Sequence, residues 1–291
     1  MHRPSSEIAE TDIPLLEMNE LIRQPDSSPP DVRGLVDQYN RRDLGTPAWR
    51  RVVLKLVNNQ QVSRTFTVVN LWLDMDRQVR TLFLLEDPSG LRGTNYLLME
   101  DRGGLQDSDM KIFLQLPAGQ RLPLEINSGS FNEGLLGSDF NYNDMRMLMP
   151  AAGYEYRMVG QSTLLDTPAW VIEATPSSKA TLKKHARSSA LYYLAQDFPL
   201  VLGVDVFDGT KTGEQGWAKR MRVQSFEKIE GIWTATRITM TAPGGRASIL
   251  ELKDIHYRVK HRQEEVFVPE RLPDLTERVR RGWSPENDIG R

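Results

Sequence analysis

The sequence predicts a mainly β protein with a few helices, folded as an incomplete antiparallel β-barrel closed by those helices. Three observations lead there. Runs of alternating apolar and polar residues recur along most of the chain, with the two-residue period of a strand. Gly, Pro, Asn or Asp punctuates most gaps between them, as in an antiparallel meander. So many strands in one sheet leave exposed edges unless the sheet curls, and the helical segments are then the natural cover for its open side.

Residues 1–30 read as an N-terminal extension. Ile13, Leu15, Leu16, Met18, Leu21 and Ile22 form an amphipathic stretch, and Pro25, Ser27, Ser28, Pro29 and Pro30 read as a linker because proline ends helices. Asp31 then caps a helix whose Val32, Leu35, Val36 and Tyr39 share one face, ending near Asp43 and Gly45. From Trp49 the pattern turns to strands, with a hairpin folding around Asn58, Asn59, Gln60 and Gln61. In its second arm Phe66, Val68, Asn70, Trp72 and Asp74 share one face, and Thr65, Thr67, Val69, Leu71 and Leu73 the other. Further strands are expected at 79–85, 95–99, 110–116, 154–160, 169–174, 191–195, 200–207, 217–226, 233–242 and 248–259. A helix is expected at 140–149, after the Gly-rich segment 128–137. The half-barrel domain spans 31–272, and 273–291 form a C-terminal tail.

Composition narrows the function. The 291 residues carry 37 Lys+Arg against 39 Asp+Glu, a net charge of −2, which is no footprint for nucleic acid. Cysteine is absent, which removes disulfides, thiolate metal sites and Cys nucleophiles. No apolar run approaches the ~18 residues that cross a bilayer as a helix. The first residues lack a basic region followed by an apolar core, as expected of a cytoplasmic protein or of one whose export signal has been removed.

Catalytic motifs are near-misses. Gly160-Gln161-Ser162-Thr163-Leu164 lacks the second Gly of a nucleophile elbow, and no Gly-rich phosphate loop is present, so no cofactor is expected. His256 and His261 stand five apart near Asp254, Glu264 and Glu265, but in a strand that spacing puts the imidazoles on opposite faces and argues against a metal site. Asp139 and Asp144 fall on different faces of a helix, which leaves capping as the role for Asp139. The basic segment from Lys179 to Arg187 reads as a solvated loop, with a surface for anionic headgroups or an acidic partner as the alternative.

Leu136-Gly137-Ser138-Asp139-Phe140-Asn141-Tyr142-Asn143-Asp144-Met145 resembles the signature of the outer membrane lipoprotein-sorting proteins related to the carrier LolA. Around it, in the same order as in that family, stand the turn Glu86-Asp87-Pro88-Ser89-Gly90-Leu91-Arg92-Gly93-Thr94, the strand Met110 to Pro117, the strand Pro168 to Pro176, and Gly231-Ile232-Trp233 followed by Met240. The resemblance covers roughly residues 31–272. Asn141 and Asn143 depart from the signature. The resemblance implies a helix-capped incomplete barrel, an export signal in the precursor, and a periplasmic protein that shields lipid or acylated lipoprotein. Read physically, Gly137 permits a tight turn, Ser138 or Asp139 caps the following helix and Phe140 packs beneath it, with Tyr142 and Asp144 completing a structural motif.

These readings combine into a non-catalytic carrier that buries acyl chains in an apolar cavity for transport towards the outer membrane. An inner-membrane transporter is its candidate protein partner, and peripheral contact with membranes is expected. Candidate lining residues are Phe66, Val68, Trp72, Phe83, Phe113, Trp170, Ile172, Ile238 and Met240, each of which ordinary core explains more readily, since buried aromatics and aliphatics dominate any interior. The helices at 31–39 and 140–149 are candidate lids. Two alternatives stay open: an accessory subunit that docks to an envelope lipid transporter, favoured by a collapsed interior, and a hydrolase or metal enzyme, which needs clustered carboxylates or histidines in a cleft.

Overall fold

The computed structural model describes residues 22–24, 28, 30–75, 77–101, 110–117, 122–150, 153–179, 181, 189–207, 217–259 and 264–282. The expected amphipathic stretch before Ile22, most of the Pro/Ser linker and most of the basic segment after Lys179 lie outside these residues. Asp31 opens helix α1 (Val32–Asn40), its carboxylate accepting from the backbone N–H groups of Arg33 at 3.2 Å and Gly34 at 3.0 Å. This is the N-cap that the sequence predicts.

Two runs of strands follow. The first holds β1 (Ala48–Asn58), β2 (Gln61–Asp74), β3 (Gln78–Asp87), β4 (Asn95–Asp101), β5 (Met110–Gln115) and the very short β6 (Leu124–Glu125). The second holds β7 (Tyr154–Leu164), β8 (Thr167–Pro176), β9 (Ala190–Ala195), β10 (Val201–Phe207), β11 (Trp217–Ile229), β12 (Ile232–Ala242) and β13 (Arg246–His256). Each expected strand is present; β6 is an addition.

All thirteen belong to one antiparallel sheet, in the order β6-β5-β4-β3-β2-β1-β13-β12-β11-β10-β9-β8-β7. The first strand pairs with the last, from Trp49 opposite His256 to Asn58 opposite Arg246. The outer strands β6 and β7 do not pair with each other, so the curved sheet stays open. The chain must therefore pass from one edge to the other between β6 and β7, and residues 132–149 do so over the concave face.

The sequence predicts a helix at 140–149, and this segment is instead a 3-10 turn, Tyr142–Met145, followed by extended chain at Arg146. The cause is competition for backbone donors. Glu100 on β4 accepts the Met147 N–H at 2.9 Å and the Arg146 side chain at 3.2 Å, and Asn40 accepts the Met149 N–H at 2.9 Å. These bonds satisfy groups that a helix would have paired internally. The cover on the concave face is thus largely non-helical, with α1 seated beside it through Val36 against Met149, Tyr154, Ala174 and Tyr192.

The convex face carries a second helix. α2 (Leu272–Arg280) buries Leu272, Leu275 and Val279 against Trp49, Val69, Leu71, Leu82, Leu84 and Leu97. Its Thr276 hydroxyl meets the Asn95 side-chain amide at 2.7 Å. The sequence reading placed residues 273–291 in a tail, and the structure folds the first turns of that segment onto the sheet.

At the β7 edge, Arg23 and Gln161 exchange two backbone hydrogen bonds of 2.8 Å. Gly160 makes this approach feasible, since a Cβ there would stand 2.3 Å from the Arg23 carbonyl oxygen.

Truncating Leu275→Ala, 2% exposed, is expected to cost about 2–5 kcal/mol in chemical denaturation. The same truncation at Leu122, 71% exposed, should stay within about 0.5 kcal/mol.

Candidate functional site

Between the concave face and the crossing segment lies a cavity of about 620 Å³. Alternation along the strands decides its walls. Val52 and Leu54 on β1, Val68 and Trp72 on β2, Phe83 and Leu85 on β3, Met221 and Val223 on β11, Ile238 and Met240 on β12, and Leu250 and Leu252 on β13 all face it. Leu136, Phe140, Met145, Met147 and Met149 close it from above. Methionine side chains adapt to irregular gaps. Exposed Asp43, Asp197, Pro199, Lys228 and Gly231 mark the rim.

Of the residues expected to line a cavity, Val68, Trp72, Phe83, Ile238 and Met240 do so. Phe66 is buried in the adjoining cluster with Val52, Leu54 and Phe140. Phe113 is a correction: it pairs with Leu97 and packs on the convex face with the α2 cluster, because its neighbours Ile112 and Leu114 take the concave side with Tyr96 and Leu98. Trp170 and Ile172 are also outside the lining. Ile172 is fully buried opposite Tyr192, which itself lines the cavity, on strands that α1 packs against.

The signature segment turns sharply where it enters the cover. Leu136 and Gly137 both have positive φ, 54° and 78°, which turns the chain sharply and suits glycine at the second position. The Ser138 hydroxyl donates to the Phe140 carbonyl at 3.2 Å. Asp139 does not cap a helix, contrary to expectation. It accepts from the Ser248 hydroxyl at 2.9 Å and pairs with Arg246 at 3.2 Å, fastening the segment to β13. The cap is supplied by Asn141, whose side chain accepts the Asp144 N–H at 3.2 Å while Asp144 accepts the Asn141 N–H at 2.7 Å. This reciprocal pair is a capping box. Phe140 is buried and faces the cavity, and Asp144, which also lines it, is held by Lys219. Tyr142 meets Tyr96, with ring centroids 6.0 Å apart.

Charged side chains enter the lining as well. Arg42 donates to the Tyr39 carbonyl at 2.9 Å and the Met147 carbonyl at 2.7 Å, and Arg146 pairs with the fully buried Glu100. Arg50 stands on the floor. Its Nε donates to Asn70 Oδ1 at 2.9 Å and its guanidinium lies 4.9 Å from the centre of the Trp72 ring. Burial pushes Arg50 below its ordinary basicity, opposed by the nearby Tyr257. The sequence reading placed Asn70 on the apolar face but missed Arg50, whose neighbours Trp49 and Arg51 face the convex side.

His256 stacks on Trp49 with centroids 4.6 Å apart, and Asp254 pairs with Arg51 at 2.6 Å. His261 lies outside the described residues. Among the described residues no helix is long and apolar enough to cross a membrane.

An open curved sheet, crossed on its concave face by one segment over an apolar cavity, defines the LolA-like class of fold. Three solved structures share it. A DUF1329 family protein from Desulfovibrio piger has a TM-score of 0.71 at 22% identity, over 82% of this chain and 97% of that one. A domain described as an outer membrane lipoprotein-sorting protein from Vibrio parahaemolyticus gives 0.70 at 19% identity, over 83% and 97%. A LolA superfamily protein from Nitrosomonas europaea gives 0.57 at 14% identity, over 81% and 97%. A family model described as "Uncharacterized protein" matches residues 77–274. The chain belongs to that family. No curated protein matches the sequence.

Burial pushes the Tyr96 phenol far above its ordinary value of 10.0, with Tyr142 adding to the effect, and burial also raises Tyr142. The folded state therefore keeps both protonated where the unfolded chain ionises. Their contribution is intact below about pH 10 and is lost as pH rises towards the folded values. Thermal melts across this range should show a flatter alkaline decline for Tyr96→Phe than for the wild type.

Proposed function

We propose that this protein is a non-catalytic periplasmic carrier that holds the acyl chains of a lipid or lipoprotein in the cavity, for transfer towards the outer membrane. The observation that carries this reading is the enclosed space itself, about 620 Å³ walled mostly by aliphatic, aromatic and methionine side chains. Its size lies in the range of sites that enclose small molecules. An open interior also favours a carrier over a subunit that only docks to a transporter. Near the cavity Glu100 pairs with Arg146, and Asp144 forms a capping pair with Asn141, an arrangement that suits containment better than proton transfer.

Energetics make binding easy and release the harder step. At about 0.8 kcal/mol per buried CH₂, a chain of ~16 carbons gains on the order of 12 kcal/mol. A carrier must therefore open, and the cover best suited to move is residues 132–149, fastened by a limited set of polar bonds to β4, β13 and α1. This replaces the helical lid expected at 140–149; α1 serves as its abutment.

Organic extraction and mass spectrometry of the full chain, purified from a cell envelope, should yield a stoichiometric acyl lipid. Val68→Trp with Ile238→Trp, which fills the cavity, should lose it while melting cooperatively. No lipid in the wild type would shift the weight to the docking subunit. Because the chain has no cysteine, Asp139→Cys with Ser248→Cys gives a single reversible lock on the cover. Oxidation should slow lipid exchange and reductant restore it; unchanged exchange would contradict an opening cover.

A further inference from the structure

Buried arginines are normally found with a carboxylate, because an uncompensated charge away from water is costly. The other interior cations are provided for. Arg146 has Glu100, Lys219 has Asp144, and Arg42 rests on two carbonyl oxygens. Arg50 differs. Among the described residues it pairs with no carboxylate, and its hydrogen bond runs from Nε to Asn70. The two terminal nitrogens of its fork are left for something else.

The backbone explains why. Opposite Arg50, β13 carries an irregularity: Trp49 pairs with His256 but Arg51 with Lys253, so β13 has one residue more than β1 across this step. Asp254, within the bulge, has φ of 47°. Its carboxylate emerges on the convex face and pairs with Arg51 at 2.6 Å. Bulges re-aim side chains in this way. The acidic group nearest Arg50 in the ladder is thus directed away from it.

The surroundings of Arg50 are fixed in advance. Asn70 is itself held by a bond from its Nδ2 to the Leu82 carbonyl at 3.1 Å. Trp72 donates its indole N–H to the Leu44 carbonyl at 2.9 Å, so its ring is a rigid wall beside the guanidinium. Arg50, Asn70 and Trp72 all face the cavity. A planar guanidinium held along one edge and open along the other is suited to bidentate recognition of a carboxylate or phosphate.

We propose that Arg50 is the anion site of the cavity and takes the oxyanion head of an acyl amphiphile, a carboxylate or a phosphate monoester, whose chain lies along the neighbouring apolar strands. This rests on the carrier reading and adds a head-group preference to it. It also sets the orientation of the cargo, with the head on the floor near Asn70 and Trp72.

The test uses the full chain, freed of lipid, and displacement of the neutral fluorophore N-phenyl-1-naphthylamine by dodecanol, dodecanoate, dodecyl phosphate and inorganic phosphate. The wild type should bind at least one of the two anionic amphiphiles about ten-fold or more tightly than dodecanol, the weight of a hydrogen bond to a charged group. Arg50→Gln should abolish that preference and leave dodecanol within about two-fold, with Arg50→Lys in between. The preference in the wild type needs no variant, so a poorly folding Arg50→Gln does not remove the test. Dodecanol binding with no anionic preference, or a preference that survives in Arg50→Gln, overturns the proposal and leaves the carrier reading intact. Failure of all three amphiphiles overturns both, and Arg50-dependent binding of inorganic phosphate alone would make this a free-anion site.

Discussion

The pairing of β1 with β13 is the constraint from which the rest of the molecule follows. It joins the first strand of the sheet to the last, so the two halves of the chain grow outward from a common seam. The end of the first half and the start of the second are then at opposite edges, and one connection must bridge them. A sheet of thirteen twisted strands curls, and the shorter way between its edges runs across the hollow side. The cavity is in this sense a product of topology: the connection roofs it without filling it.

The same connection settles where polar groups go. An irregular segment laid over an apolar face has backbone donors and acceptors that strands cannot satisfy, and these must find partners nearby. Glu100 and Asn40 supply two such partners, and Ser248 accepts the Asp139 N–H at 2.9 Å. Each anchor comes from a different element, β4, α1 and β13, so the roof is pinned at separated points. Such pinning allows a cover to be ordered when closed and still release through the loss of a few bonds.

Much of this was legible in the sequence where short-range chemistry decides. Asp31 as a cap, the Asn59-Gln60 turn and the division of β2 into a Phe66–Val68–Trp72 face and a Val69–Leu71 face need only neighbours and periodicity. What was not legible depended on distant partners. The segment at 140–149 has helix-compatible residues, but its donors are taken by groups such as Glu100, far away in sequence. Phe113 could be assigned to a face only by fixing the register of β5 against β4. α2 carried a readable signal in the spacing of Leu272, Leu275, Thr276 and Val279, obscured by Pro273 and by the charged residues around it. Arg50 could not have been found at all, since its isolation comes from an extra residue on the partner strand.

The short bridge at Arg23 covers part of the β7 edge of the sheet. An open sheet has two free borders, and each is a template on which another chain can continue the ladder. β6 blunts its border by being two residues long, but β7 runs for eleven. The Arg23 backbone occupies part of that longer border, and Gly160 admits it to a distance that any side chain would forbid. The backbone at Arg23 thus covers ladder groups of β7 that would otherwise stay open, and the bare backbone of Gly160 is what lets it come so close.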